Sequence, residues 1–249
     1  MRIDAPCRED IPRLRHLWQE AFGDDEVFLD SFFETAFSYG RCRCVFMGSY
    51  LAAALYWLDC QWEEKKVAYI YAVATDKAYR GQGLCRQLME DTHKHLLKNG
   101  YTGAALVPGN EGLFALYKKI GYRPFCPMDK TEISAGGTPV CLNKLSAEEF
   151  GQKRRKRLPK GGILQEGVTL SYLDRFTEFF EADGSLMCLS READVAYFQE
   201  YLGDKNLLPG ILAALGVQKG ILRLPGSKDS AMYYSPQPET PSYLGLSLG

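Results

Sequence analysis

The sequence predicts a mixed α/β fold, on three observations. Apolar residues recur at helical spacing through residues 11–38. The pattern then changes to three consecutive strand-like segments between residues 42 and 74. Helical spacing returns at 84–97, and strand and helix patterns alternate from there to about residue 145.

In IPRLRHLWQEAF, Ile11, Leu14, Leu17, Trp18 and Phe22 stand at three- and four-residue steps, one apolar stripe on a helix. Asp10 is the expected N-cap and Gly23 stands just past the end. Phe28, Phe32, Phe33 and Phe37 mark a second helix running to about Ser38. Cys42–Met47, Tyr50–Cys60 and Lys66–Ala74 are rich in Val, Tyr and small apolar residues and read as three antiparallel strands. Gly48-Ser49 and the charged patch Glu63–Lys66 separate them. Leu84, Leu88, Met89, Leu96 and Leu97 predict a helix that stops at Asn99-Gly100. A short strand, Thr102–Val107, ends at Pro108-Gly109. Leu113, Leu116, Tyr117 and Ile120 share one side of a further helix, with Gly121 as its stop. Tyr122–Ile133 and Pro139–Leu145, joined through Ala135-Gly136-Gly137, read as a closing hairpin.

We place a domain boundary near 145, giving regions 1–145 and 146–249. In the second, a charged helical stretch, Ala147–Leu158, runs into Pro159-Lys160-Gly161-Gly162. A helix over Thr169–Phe180, a strand over Leu186–Leu189 and a helix over Ala193–Leu202 follow, a smaller α/β domain.

The chain carries 30 Lys and Arg against 31 Asp and Glu, and neither half has a basic excess. Nucleic acid and anionic membrane are therefore not expected partners. The run Lys153-Arg154-Arg155-Lys156-Arg157 follows Glu148-Glu149 on a helix and reads as a solvated face. Eight cysteines show no CxxC spacing, and His16, His93 and His95 stand near no Cys pair, so no metal site is expected. The opening MRIDAPCREDIP has no secretory apolar region, and apolar stretches fall far short of the roughly 20 residues that span a bilayer. The expectation is a cytoplasmic protein with reduced thiols and no membrane partner.

The informative segment is VAYIYAVATDKAYRGQGLCRQLM, Val67–Met89. An apolar strand runs into Arg80-Gly81-Gln82-Gly83-Leu84-Cys85 and directly into a helix. Two glycines there let backbone N–H groups approach a ligand, and the helix start adds unpaired donors and a positive dipole end. That suits a pyrophosphate. The segment is not a P-loop, which needs GxxxxGK[ST], nor GxGxxG, since Arg86 stands where the third glycine would.

VATDKAYRGQGLCRQLM strongly resembles the acetyl-CoA signature of the GNAT N-acetyltransferase superfamily, Arg/Gln-x-x-Gly-x-Gly/Ala, at Arg80, Gly83 and Cys85. Some 25 residues on, NEGLFALYKKIGYRPF resembles that family's second signature, at Asn110, Tyr117, Gly121 and Tyr122. The resemblance covers about residues 1–145 and little or nothing of 146–249. It implies a GNAT-like mixed, mostly antiparallel sheet flanked by helices. Cys85 departs from the usual Gly or Ala; it reads as a small buried spacer rather than a reactive thiol. For the second region three readings stand: a degenerate second GNAT-like half, which the helix–strand–helix order favours; a lid over the acceptor; or a homodimer surface.

The resemblance implies acetyl-CoA as cosubstrate. Its pantetheine arm would add to the splayed strand end through backbone groups of Val73 and Thr75. The amides of Gly81, Gln82, Gly83, Leu84 and Cys85 would hold the pyrophosphate, with Arg80 near the phosphates and Asn110 opening the second signature's helix. The amide near Val73 would polarise the thioester carbonyl. A primary amine, of a small molecule or of a peptide or protein, would attack directly in a ternary complex. Tyr117 would protonate the departing thiolate; a phenol of pKa about 10 suits that task. No general base is assigned. Val67–Ala74 carries no carboxylate, Asp59, Glu63 and Glu64 stand at strand ends, and a water relay through Tyr69 or Tyr71 serves equally. A CoA-binding module without catalysis is the alternative.

Overall fold

The computed structural model describes residues 1–248; Gly249 lies outside the described residues. The chain divides into two compact units, Met1–Arg123 with Tyr233–Glu239, and Pro124–Met232 with Thr240–Gly249. Residues 124–145, which the sequence groups with the first region, lie in the second unit.

The first unit runs β1 (Arg2–Asp4), α1 (Ile11–Phe22), α2 (Glu26–Thr35), β2 (Cys42–Met47), β3 (Tyr50–Trp62), β4 (Lys65–Thr75), α3 (Leu84–Lys98), β5 (Gly103–Leu106), α4 (Glu111–Lys119) and the start of β6 (Arg123–Phe125). β1 to β4 pair antiparallel in sequence order, and β4 pairs parallel with β5. Leu51–Leu58 of β3 are buried at every position, because α1 and α3 both pack on β3 and β4. Leu14, Leu17 and Trp18 of α1 and Leu84, Leu88, Met89 and Leu96 of α3 supply the covering stripes. Asp10 does not cap α1; its carboxylate accepts from the Cys7 N–H at 2.8 Å instead.

The second unit runs β7 (Met128–Ser134), β8 (Asn143–Leu145), α5 (Ala147–Arg157), β9 (Gly162–Gln165), α6 (Val168–Leu173), β10 (Glu178–Ala182), β11 (Ser185–Glu192), β12 (Val195–Leu202), α7 (Leu208–Leu215) and β13 (Lys219–Pro225). The chain then passes through β14 (Ala231–Tyr234), whose last two residues belong to the first unit, and ends at β15 (Tyr243–Leu244), which pairs with β9. A six-stranded sheet has the order β7-β13-β12-β11-β10-β8, with β12 and β13 parallel.

Three sequence expectations change here. Residues 122–145 do not form a hairpin, since β7 and β8 stand at opposite edges of that sheet. The helix expected over Thr169–Phe180 ends at Leu173, and β10 begins at Glu178. The helix expected over Ala193–Leu202 is strand β12. There Ala196, Phe198 and Glu200 are buried in alternation, and a register shift opposite Cys188/Leu189 turns Tyr201 inward as well. That bulge leaves a three-residue apolar step, Phe198 to Tyr201, which mimics a helix. Among the described residues no helix is long and apolar enough to cross a membrane.

Candidate active site

The site is built where β4 loses a partner. On one side β4 stays paired with β3 to its last residue, Ala53 opposite Thr75. On the other, the parallel ladder with β5 runs from Val67–Gly103 to Tyr69–Ala105 and ends. β5 itself stops at Leu106, and Pro108 lacks an N–H to continue. The β4 edge beyond Tyr69 therefore offers backbone donors and acceptors to a ligand. Its course is bent: the β3–β4 register shifts between Ala54 and Tyr56, and Ala72 sits at φ +48°. An alanine in that left-handed region costs about 1 kcal/mol, so the surrounding packing holds a strained bulge beside Val73.

From Thr75 the chain enters a short 3-10 turn, Lys77–Tyr79, and then the glycine pair. Gly81 and Gly83 have φ of +76° and +77°, a backbone that a side chain would strain. A Cβ on Gly81 would meet nothing within 4 Å, so that side of the loop is open. Gly83 is the N-cap of α3 and makes no side-chain cap, leaving the amides of the first turn to a ligand. Arg80 is exposed and its Nε donates to Thr75 O at 3.0 Å, closing the turn. Gln82 Nε2 donates to Ala78 O at 3.3 Å. Leu84 anchors α3 in the core.

Cys85 follows, half-buried, and desolvation pushes its thiol up to about 11. A thiol held protonated at neutral pH is a poor nucleophile. Asn110 caps α4, its Oδ1 accepting from the Leu113 N–H at 3.0 Å. Tyr117 is buried at the far end of α4, 5% exposed. Burial raises its phenol well above the ordinary value, and nearby Cys85 raises it further. The start of α3 and the end of α4 thus bring Cys85 and Tyr117 within electrostatic reach. Behind Tyr117 stands Tyr122, ring centroids 5.6 Å apart. The Tyr122 hydroxyl lies 3.0 Å from His93 Nε2, and His93 stacks on Tyr234 at 3.7 Å.

Val73 and Thr75, the loop Arg80–Cys85, Asn110 and Tyr117 all fall in the first unit, along the segments that lead into or out of α3 and α4. The carboxylates considered as bases do not join them. Asp59 stands opposite Ala68 and Glu63 lies past Trp62–Lys65, whereas Thr75 is opposite Ala53, about 20 Å along the strands. Asp59 accepts from the Tyr101 hydroxyl and pairs with Arg41 at 3.3 Å. Tyr69 is buried and Tyr71 half-buried, its ring 5.4 Å from Trp18.

Sequence reasoning missed two contributors. Ala72 carries the bulge, and alanine gives no sign of a left-handed position. Asp76, 8% exposed, caps the turn and joins Arg13 and Tyr50; in the sequence it is one charge among many.

Residues 2–125 match the family model of the acetyltransferase (GNAT) domain. Curated protein sequences give no match. Among solved structures, a GCN5-related N-acetyltransferase from Anabaena variabilis superposes with a TM-score of 0.74 at 16% identity, covering 93% of this chain and 72% of its own. A GCN5-related N-acetyltransferase from Kribbella flavida gives 0.70 at 14% identity, covering 93% and 70%. A tandem GNAT protein from the clavulanic acid biosynthesis pathway gives 0.60 at 10% identity, covering 96% and 99%. At these identities the likeness is one of fold, and it extends through the second unit.

Proposed function

The N-terminal half of this chain, residues 2–125, belongs to the GNAT acetyltransferases, and on that premise we propose that the protein transfers an acetyl group from acetyl-CoA to a primary amine. One observation carries the reading: the unpaired end of β4 runs, through two left-handed glycines, into the uncapped start of α3. An extended pantetheine arm fits an open strand edge, and a pyrophosphate fits a helix N-terminus reached through glycines.

In this reading the amides of Gly81–Cys85 bind the pyrophosphate. Backbone groups of Val73 and Thr75 seat the pantetheine, and the Val73 amide polarises the thioester carbonyl. The amine attacks that carbonyl directly, and holding both reactants together supplies much of the rate. Tyr117 then gives its proton to the leaving sulfur. Its raised pKa keeps it protonated across the physiological range, and the same burial disfavours a free thiolate, so the transfer is between two groups shifted alike. No carboxylate of β3 or β4 stands near Thr75, so no general base is assigned; of the two tyrosines, Tyr71 is the half-buried one that a water relay from the acceptor could reach. The acceptor is a small amine or the amine of a peptide or protein.

Tyr117→Phe tests the assignment. It should lower kcat about a hundredfold while changing the KM for acetyl-CoA little, because general-acid groups contribute about 10²–10⁴-fold. Unchanged kcat in that variant removes Tyr117 from the chemistry.

A further inference from the structure

The glycine pair is held from behind by a nearly buried carboxylate, and we infer that Asp76, acting with Arg13 and Tyr50, is the positioning group for the phosphate-binding loop. The inference rests on the acetyl-CoA reading of that loop.

Asp76 works at both ends of its own residue. Its N–H donates to Ala52 O at 2.9 Å, fixing the exit from β4 to β3, and its carbonyl accepts from the Tyr79 N–H at 2.9 Å. Its Oδ1 accepts from the Ala78 N–H at 2.8 Å and so closes the 3-10 turn. Its Oδ2 accepts from the Tyr50 hydroxyl at 2.5 Å and pairs with Arg13 Nη2. Arg13, on α1, also donates through Nε to Leu51 O at 3.2 Å, meets Glu20 at 3.3 Å, and lies 4.8 Å over the Tyr50 ring. Tyr50 in turn stacks on Tyr79 at 5.5 Å, one residue before Arg80. One carboxylate thereby ties α1, β3 and the turn together immediately ahead of Gly81.

The need for such an anchor follows from the glycines. Two residues free to take either sign of φ give a loop with many conformations, only some of which aim their amides at one anion. Fixing Asp76 and Tyr79 restricts the entry to that loop, while the start of α3 fixes its exit. Arg13 is already matched by Asp76 and Glu20, so its charge serves the anchor and not the ligand. The Tyr50 hydroxyl and the Ala78 amide hold the Asp76 carboxyl below its ordinary value, as a group kept ionised in this cage requires.

The role predicts an effect on one part of the donor. Acetyl-CoA and S-acetylpantetheine share the thioester, but the second lacks the pyrophosphate and adenosine. The experiment measures kcat/KM for both donors with the full chain and its Asp76→Ala, Asp76→Asn and Tyr50→Phe variants, using one amine. The ratio of the two values should fall at least tenfold in Asp76→Ala, through KM for acetyl-CoA, and by less in Asp76→Asn, which retains an acceptor for the Ala78 N–H. Tyr50→Phe removes one hydrogen bond at a ring 41% exposed, so it folds even if Asp76→Ala does not, and its ratio should fall two- to fivefold. Equal losses for both donors, or no loss, overturn the positioning role while leaving the acetyl-CoA reading in place. A wild-type chain that uses neither donor overturns that reading and this inference with it.

Discussion

His93 shows how burial converts one side chain into a pH dependence. It is 3% exposed, stacked on Tyr234 and within hydrogen-bond reach of the Tyr122 hydroxyl, and burial lowers its pKa to about 4. The unfolded imidazole, near 6.5, binds a proton that the folded one refuses. The stabilisation is therefore complete above about pH 6.5 and is lost as pH falls toward 4, by at most about 3 kcal/mol. Urea unfolding of the wild type and His93→Gln at pH 7.5 and 4.5 checks this: the difference in stability between the two pH values should shrink in the variant. An equal pH slope in both would place the dependence elsewhere. At this same scale the sequence is an uneven guide. Gly81 and Gly83 are legible because glycine alone takes their left-handed backbone freely, whereas Tyr117 stands out only through the resemblance of its segment to the GNAT signature. Ala72 and Asp76 are not, since an alanine in a bulge and a carboxylate in a cage look like any others of their kind.

At the scale of elements, α1 and α3 are legible because each has one helical period and a clear stop, and β3 and β4 because each is built on an unbroken apolar run bounded by turn or charged residues. β12 is not, because its bulge gives a strand the spacing of a helix. The basic run 153–157 misleads for another reason. Arg154 is fully buried, not solvated; it grips Glu200 through Nε at 2.5 Å and Nη2 at 2.9 Å, and Gln165 through Nη2 at 3.1 Å. Nothing local marks which of five neighbouring cations turns inward, because the partner lies on β12. The Tyr243 hydroxyl completes the cluster by donating to Glu200 at 3.1 Å, so α5, β9, β12 and the chain end share one ion pair. Arg154→Met strands a buried carboxylate and should cost about 3–5 kcal/mol by urea unfolding, whereas Arg154→Met with Glu200→Leu should cost clearly less. Equal losses in the two would mean that packing, not charge, holds the cluster. The second unit also repeats the plan of β4, α3 and β5 in β12, α7 and β13, yet its turn runs through Lys205–Leu207 straight into α7, with Pro209 in the first turn and no glycine pair. The fold recurs there without the feature that suits a pyrophosphate.

For the whole molecule, chain order has a consequence that no local motif announces. The first unit includes Tyr233–Glu239, so the chain completes its N-terminal fold only after passing through the second unit. Tyr233 is fully buried, its ring 5.7 Å from Trp62, and a Cβ on Gly103 would fall 2.2 Å from its hydroxyl. Arg123 donates to Pro238 O and Gln237 O, each at 2.7 Å. Losing one such buried aromatic costs about 3–5 kcal/mol. A chain ending at residue 232, like the fragment 1–145, should show a lower thermal midpoint for the first unit and no stabilisation by acetyl-CoA. A fragment 1–145 as stable as the full chain, and equally stabilised, would show that the returning segment is dispensable. The β4–α3 junction is where acetyl-CoA would sit, and its binding there can be measured outright. Titrating acetyl-CoA into the full-length protein by calorimetry, followed by assay of CoA release with a panel of primary amines, should give saturable binding and release that depends on an amine. Absence of acetyl-CoA binding at millimolar concentration would contradict the account.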